Sequence, residues 1–169
     1  TGHKMKRVQI VTVSTAPQHK YQKLQKQTAK KWGYQYVSIG QGVEWKGFVT
    51  KMELPIQYLK TQFAAYKKAK EEDPAIDSIN DPQDTLYVFV DAYDLIFTGP
   101  PDELLAKYAN FDAPIVVGAE RVCFGNCQPS TCEGLNNAGT ARQHINTGCV
   151  MGSLKDLMSY YEWGRVNYP

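Results

Sequence analysis

No sign of charge dominates this chain: 19 Lys and Arg stand against 17 Asp and Glu, a formal charge of +2 over 169 residues. The basic residues are dispersed, which excludes the stripe or patch of an electrostatic nucleic-acid binder. No run approaches the roughly 18 apolar residues of a membrane span, and Thr1-Gly2-His3-Lys4-Met5 lacks the apolar core of a signal peptide. A soluble chain without a membrane span is expected. Ser14-Thr15-Ala16-Pro17, which follows the first apolar run, holds no glycine, so the phosphate loop of a nucleotidyltransferase of similar architecture is missing. There is no internal repeat, low-complexity tract or linker. At about 100 to 200 residues per domain the length is that of one domain, expected over 5–169, and Thr1 to Lys4 ahead of Met5 are expected to be a scar of expression.

The four cysteines, Cys123, Cys127, Cys132 and Cys149, lack the C-x2-C knuckle of common zinc modules. Two disulfides, one disulfide with two free thiols, a structural zinc and ordinary reduced core cysteines all remain open, and four cysteines allow three full pairings. Paired cysteines would put the chain in the lumen of the secretory pathway or outside the cell; reduced ones would fit the cytoplasm.

What is present reads as an α/β chain. Arg7 to Val13 is β-branched and ends in a small polar turn, as a buried strand does. Tyr21, Leu24, Thr28 and Trp32 recur at three- and four-residue steps, which predicts an amphipathic helix with that stripe inward, closed by Gly33. Tyr34 to Ile39 is a second strand, parallel to the first by the handedness of short crossovers. After a glycine-rich loop, Met52, Ile56, Leu59, Phe63 and Tyr66 define a long helix; Pro55 is tolerable in a first turn, which places the start near Met52 or Glu53. Leu86 to Val90 is a continuous apolar run, the mark of a central strand covered on both faces. A short helix from Pro100 and Pro101 through Tyr108, a strand over Pro114 to Ala119, a loop over Cys123 to Arg142 and a strand over Ile145 to Met151 follow. Ser153 and Asp156 form a capping box for a last helix with Leu154, Leu157, Met158 and Tyr161 inward.

Asp91-Ala92-Tyr93-Asp94 follows the most apolar strand without a break. Ligands gather at the carboxyl ends of central strands in open α/β sheets, and two carboxylates there can share a hard divalent cation with diphosphate oxygens. Spacing alone equally allows a turn cap at Asp91 beside a solvated Asp94.

The surrounding words narrow this. Tyr87 to Leu105, reading YVFVDAYDLIFTGPPDELL, resembles the glycosyltransferase domain of procollagen lysyl hydroxylases and of related collagen-type glucosyl- and galactosyltransferases. Val11 to Ala16 looks like that family's first strand and uracil-side loop, Gly42 to Gly47 with Thr50-Lys51-Met52 like its glycine-rich loop and lysine-bearing helix start, and Val116 to Glu120 like a strand ending in a small-Ala-Glu turn. His144 to Gly152 resembles the segment that lines the sugar and acceptor side. The resemblance implies a GT-A-type fold, Rossmann-like, with a mostly parallel central sheet flanked by helices. It implies a metal-dependent transfer of glucose or galactose from a UDP-sugar donor to a hydroxyl of a glycan or protein acceptor. Asp91 and Asp94 would then hold Mn2+ or Mg2+, Tyr93 would stack on the uracil, and such stacking is worth about 1 to 3 kcal/mol. Lys51 would lie near the donor phosphates, Thr15 and Trp45 along the donor, and Asn146, Thr147 and Gly148 on the sugar and acceptor side.

Two departures accompany it. Where the family commonly has Cys-Trp-Pro, this chain reads Cys123-Phe124-Gly125 with Cys127 and Cys132 following. The family's acidic pair and its histidine metal ligand would fall past Pro169, so a domain shortened at that end is expected and no catalytic residue is assigned. A nucleotide-sugar-binding module without transferase activity is the alternative. One expectation is directly countable: at least one disulfide among the four cysteines, which for a closed loop of about 15 residues would contribute roughly 3 kcal/mol. Thiol titration of the native, non-reduced protein should find fewer than four; four reactive thiols would exclude it.

Overall fold

Residues that are stiff at χ1 favour extended backbone, and Arg7–Val13 and Thr85–Asp91 form the two inner parallel strands on which the rest is built. The computed structural model describes residues 5–16, 19–74, 81–121 and 144–167. In chain order these carry β1 (Arg7–Val13), α1 (Lys20–Lys31), β2 (Gln35–Ile39), α2 (Phe48–Glu72), a 3-10 turn at Pro82–Asp84, β3 (Thr85–Asp91), α3 (Pro101–Ala109), β4 (Ile115–Glu120), β5 (His144–Gly152) and α4 (Leu154–Asn167). The sheet order is β2-β1-β3-β5-β4. β1 is parallel to β2 and β3, whereas β5 is antiparallel to both β3 and β4. β5 alone is therefore reversed, and the expected mostly parallel α/β sheet flanked by helices is what forms.

Alternation along β3 supplies both faces. Tyr87 and Phe89 pack with Val11, Ile56, Leu59, Leu154, Leu157 and Tyr161 under α2 and α4. Leu86, Val88 and Val90 pack with Val8 and Ile10 against Leu104, Leu105 and Tyr108 of α3 on the other side. A strand apolar at every position is the sequence expression of this double cover. The capping box forms as expected, with the Asp156 amide donating to Ser153 Oγ at 3.2 Å.

Two expectations are corrected. The stripe Tyr21-Leu24-Thr28-Trp32 is not the buried face of α1: Tyr21 and Leu24 are half exposed, and Gln22, Gln25 and Ala29 are buried. The helix is rotated because the strand ends beneath it present polar atoms, described below, that need amide partners. α2 begins at Phe48 rather than near Met52, so Pro55 is its eighth residue. The start is fixed upstream by Thr50, buried, whose Oγ1 accepts from the Lys46 amide at 2.8 Å. Pro55 then lacks the N–H that would bond the Lys51 carbonyl, a loss the buried packing of Pro55, Ile56 and Leu59 offsets. α1 does end as read: Gly33 has φ +80° and its amide donates to the Lys30 carbonyl, a left-handed closure that suits glycine.

Cys149 is a free thiol; Cys123, Cys127 and Cys132, and with them the expected disulfide and loop, lie outside the described residues. Among the described residues no helix is long and apolar enough to cross a membrane. Leu59 is fully buried where α2 meets the sheet, so Leu59→Ala should lower stability by about 2 to 5 kcal/mol. Urea unfolding should show a lower midpoint at unchanged slope.

Candidate active site

Strand alternation decides where Asp91 points. Tyr87 and Phe89 face α2 and α4, so Asp91, two residues on, faces them too. There Lys51 of α2 meets it: Lys51 Nζ donates to Asp91 Oδ1 in a part-buried ion pair. The negative charge of Asp91 is felt beyond this contact. Burial first, and Asp91 second, push the Cys149 thiol up, which keeps it protonated and unreactive at neutral pH.

β5 brings the next group in through an irregularity. Its register against β4 jumps from Val117↔Val150 to Gly118↔Asn146, leaving Thr147, Gly148 and Cys149 without a β4 partner. Such bulges re-aim side chains next to active sites. Here the bulge carries Gly148 against Asp91: a Cβ at Gly148 would lie 2.9 Å from Asp91 Oδ2 and 2.7 Å from Asn146 Oδ1. Asn146 is itself held at both ends, its Oδ1 accepting from the Gly148 amide at 2.7 Å and its Nδ2 donating to Glu120 Oε2 at 3.0 Å. Thr147 and Lys51 line one small cleft together with Phe48, Met52, Tyr160 and Tyr161.

The loop after β3 is fastened from below. Thr12 Oγ1 donates to the Val90 carbonyl at 2.9 Å, and Gln25 Nε2 donates to the carbonyls of Asp91 at 2.6 Å and Leu95 at 3.3 Å. The Phe97 amide donates to Thr28 Oγ1 at 3.2 Å. Tyr93 is tied separately: its hydroxyl lies 3.0 Å from Ser14 Oγ, and its ring centroid 4.4 Å from that of His19. Thr15, beside Ser14, borders the Gly40 turn.

The structure thus joins Asp91, Lys51, Asn146, Thr147 and Gly148 in one place and sets Tyr93 and Thr15 on its β1 side. Asp94 and Trp45 stand apart from these contacts, Asp94 exposed and Trp45 half exposed in the loop before α2. Sequence reasoning missed Ser14, Gln22, Gln25 and Glu120. The signal for the glutamines was there, since Gln22, Gln25 and Ala29 have the same helical spacing as the apolar stripe, shifted by one residue.

Among the described residues no group of three or more His, Cys, Asp and Glu side chains is arranged to hold a metal ion. What Asp91 and Asp94 offer is a pair of hard carboxylates, the donor type that Mg2+-like ions share with substrate phosphates. In chemistry Asp91 suits such an ion, since its carboxylate faces a cation here, the Lys51 ammonium. A separate groove of about 1050 Å3, lined by Met5, Leu105, Tyr108, Pro114, Ser153 and Lys155, lies at the opposite end of the sheet. A seven-residue strand, about 20 Å, separates the two.

Sheet topology and site together define an α/β protein whose acidic motif closes a central strand. The family model for the PLOD GT domain matches residues 4–163, and the chain belongs to this family of glycosyltransferase domains. It is 26% identical over 147 residues to human multifunctional procollagen lysine hydroxylase and glycosyltransferase LH3, covering 85% of this chain and 18% of that protein. To the procollagen-lysine,2-oxoglutarate 5-dioxygenase of Drosophila melanogaster it is 27% identical over 156 residues, covering 86% of this chain and 19% of that protein. To the uncharacterized protein R699 of Acanthamoeba polyphaga mimivirus it is 30% identical over 125 residues, 73% of this chain and 25% of that one. The chain thus spans less than a fifth of the length of those two hydroxylases. Among solved structures, a glycosyltransferase involved in glycosylation of the major capsid of PBCV-1 aligns with TM-score 0.46 and 14% identity, over 97% of this chain and 69% of that one.

Gly148→Ala isolates the close approach. The added methyl must displace Asp91 Oδ2 or Asn146 Oδ1, on side chains already held, Asp91 through its Oδ1 by Lys51 and Asn146 by the Gly148 amide and Glu120, so the Mn2+-dependent UDP binding proposed below should weaken at least ten-fold. The melting temperature should move little, since the clash is with side-chain ends and not with the core. Calorimetry beside a thermal melt reads both.

Proposed function

We propose that this domain transfers a hexose, glucose or galactose, from a UDP-sugar to a hydroxyl of a glycan or protein, with Mn2+ or Mg2+ held by Asp91 and Asp94. The observation that carries the reading is the meeting of Asp91, Lys51 and Gly148 at the carboxyl end of β3. A carboxylate, an ammonium and a face without a side chain are together what a metal-bridged diphosphate requires. Bound there, the ion would act as a Lewis acid toward the charge developing on the departing UDP.

The chain's own groups have separable roles in this account. Asp91, last in a buried strand, gives a carboxylate of fixed position; Asp94 lies on the loop that the α1 side chains hold. Lys51 neutralises Asp91 in the ion-free protein and supplies a point charge for the donor phosphates. Tyr93 offers its ring to the uracil with its hydroxyl tied to Ser14, so that the ring is oriented before the base arrives. Thr15 and Trp45 flank the donor. Asn146, Thr147 and Gly148 face the sugar and acceptor, with Asn146 oriented by Glu120. The names of the human and fly relatives tie them to procollagen lysine; for this chain the acceptor is given only as a hydroxyl, and a secretory-lumen or extracellular address follows from the same kinship.

UDP calorimetry in Mn2+ and in EDTA, with a product assay for free UDP, tests the reading. Asp91→Asn and Asp94→Asn should each abolish the Mn2+-dependent part of UDP binding and leave the fold intact. Equal binding of UDP in EDTA, or Mn2+-dependent binding in both variants, would overturn it, and binding without release of UDP would mark a donor-binding module. Lys51→Ala should lower donor affinity roughly ten- to a hundred-fold, the value of a hydrogen bond to a charged group. Its stability should fall by no more than about 1 kcal/mol, as for a partly exposed ion pair.

A further inference from the structure

Two glutamines are buried in α1, an amphipathic helix whose inward positions would ordinarily be apolar. Gln25 is fully buried and Gln22 nearly so. The Gln25 amide has its orientation fixed by chemistry. Gln25 Nε2 faces two carbonyl oxygens, Asp91 O at 2.6 Å and Leu95 O at 3.3 Å, and these accept only; the nitrogen must therefore point at them. Its Oε1 accepts from the Tyr36 hydroxyl at 2.8 Å, which completes the group. Gln22 Nε2 donates to Ser38 Oγ at 2.7 Å, leaving Oε1 for Ser14 Oγ at 3.1 Å. Ser14 Oγ has one proton and faces two acceptors, Gln22 Oε1 and the Ala16 carbonyl at 3.1 Å. The Tyr93 hydroxyl at 3.0 Å is then the donor to Ser14.

We infer that Gln25 and Gln22 are positioning residues for the Asp91–Asp94 motif, Gln25 setting its backbone and Gln22, through Ser14, setting the Tyr93 ring. One Gln25 amide bridges the carbonyls on either side of the motif, residues 91 and 95, and so fixes the span across which Asp91 and Asp94 must converge on one ion. Gln22, one helical turn earlier, holds the hydroxyl end of the aromatic ring between those aspartates. The pair reaches donor and metal only through other groups, and neither glutamine touches either. The inference rests on the donor-site reading above in its consequence for binding, while the hold on the loop stands on geometry alone.

The test uses Gln25→Met, which keeps the length of the side chain and removes both donors, and Tyr36→Phe, which leaves Gln25 in place but removes the group that orients it. Hydrogen exchange of the segment 92–97 is measured first, without ligand. It should rise at least ten-fold in Gln25→Met and measurably in Tyr36→Phe, while exchange in β1 and β3 stays at the parent level. UDP affinity is then measured in Mn2+ and in EDTA. The ratio of the two affinities should fall at least ten-fold in Gln25→Met, with the EDTA value unchanged, a pattern that general loss of stability does not produce. For Gln22→Met the EDTA affinity itself should fall, because the uracil platform is affected and the metal pair is not. Parent-level exchange in 92–97 in both Gln25→Met and Tyr36→Phe would overturn the inference, as would an unchanged affinity ratio in a folded Gln25→Met. If Gln25→Met does not fold, Tyr36→Phe decides by the same two readings. A parent protein that binds no UDP in Mn2+ would overturn the donor-site reading, and the exchange measurement would still decide whether the glutamines hold the loop.

Discussion

Buried backbone carbonyls must find donors, and in this protein that requirement shapes the functional end of the sheet. β3 is buried on both faces to Val90, and where the chain leaves the sheet the carbonyls of Val90, Asp91 and Leu95 accept hydrogen bonds from side chains. Thr12 from β1 and Gln25 from α1 supply the donors, and Thr28 receives the Phe97 amide. A helix that must offer amides downward cannot also bury Tyr21 and Leu24. The rotation of α1, the exposure of its apolar stripe and the hydrogen bonds that hold the acidic loop are three results of one constraint.

A second constraint is electrostatic. Asp91 projects into the α2–α4 side of the sheet, where an unpaired carboxylate would be costly, and Lys51 neutralises it. The early start of α2 at Phe48 is what puts Lys51 in the first turn, beneath Thr50 and the Gly47 turn. Pro55 then falls inside the helix. On the opposite side the bulge in β5 removes three residues from the β4 ladder and presents Gly148 where any side chain would strike Asp91. Charge is satisfied from one flank and space kept open on the other.

Much of this was legible in the sequence, because it rests on periodicity. The unbroken run of β3, the alternating strands, the α2 stripe of Ile56 and Leu59 and the Ser153–Asp156 cap all follow from local pattern. The family was legible as well, in the long wording from Tyr87 to Leu105. The face of α1 was not, because two stripes one residue apart have equal helical spacing and only tertiary demand for donors separates them. The start of α2 was not, since the rule for proline states where it is cheapest and not where packing will tolerate it. The reversal of β5 and its bulge depend on pairing partners distant in sequence, which no local pattern encodes.

The proposed function brings a divalent ion and a uridine diphosphate together at the end of β3. Crystals grown with Mn2+ and UDP and measured at the manganese absorption edge test it most directly. An anomalous peak is expected between the carboxylates of Asp91 and Asp94, with the diphosphate on its open side toward Lys51 and Gly148. A peak elsewhere, or UDP seated in the groove at the opposite end of the sheet beside Tyr108 and Lys155, would contradict it.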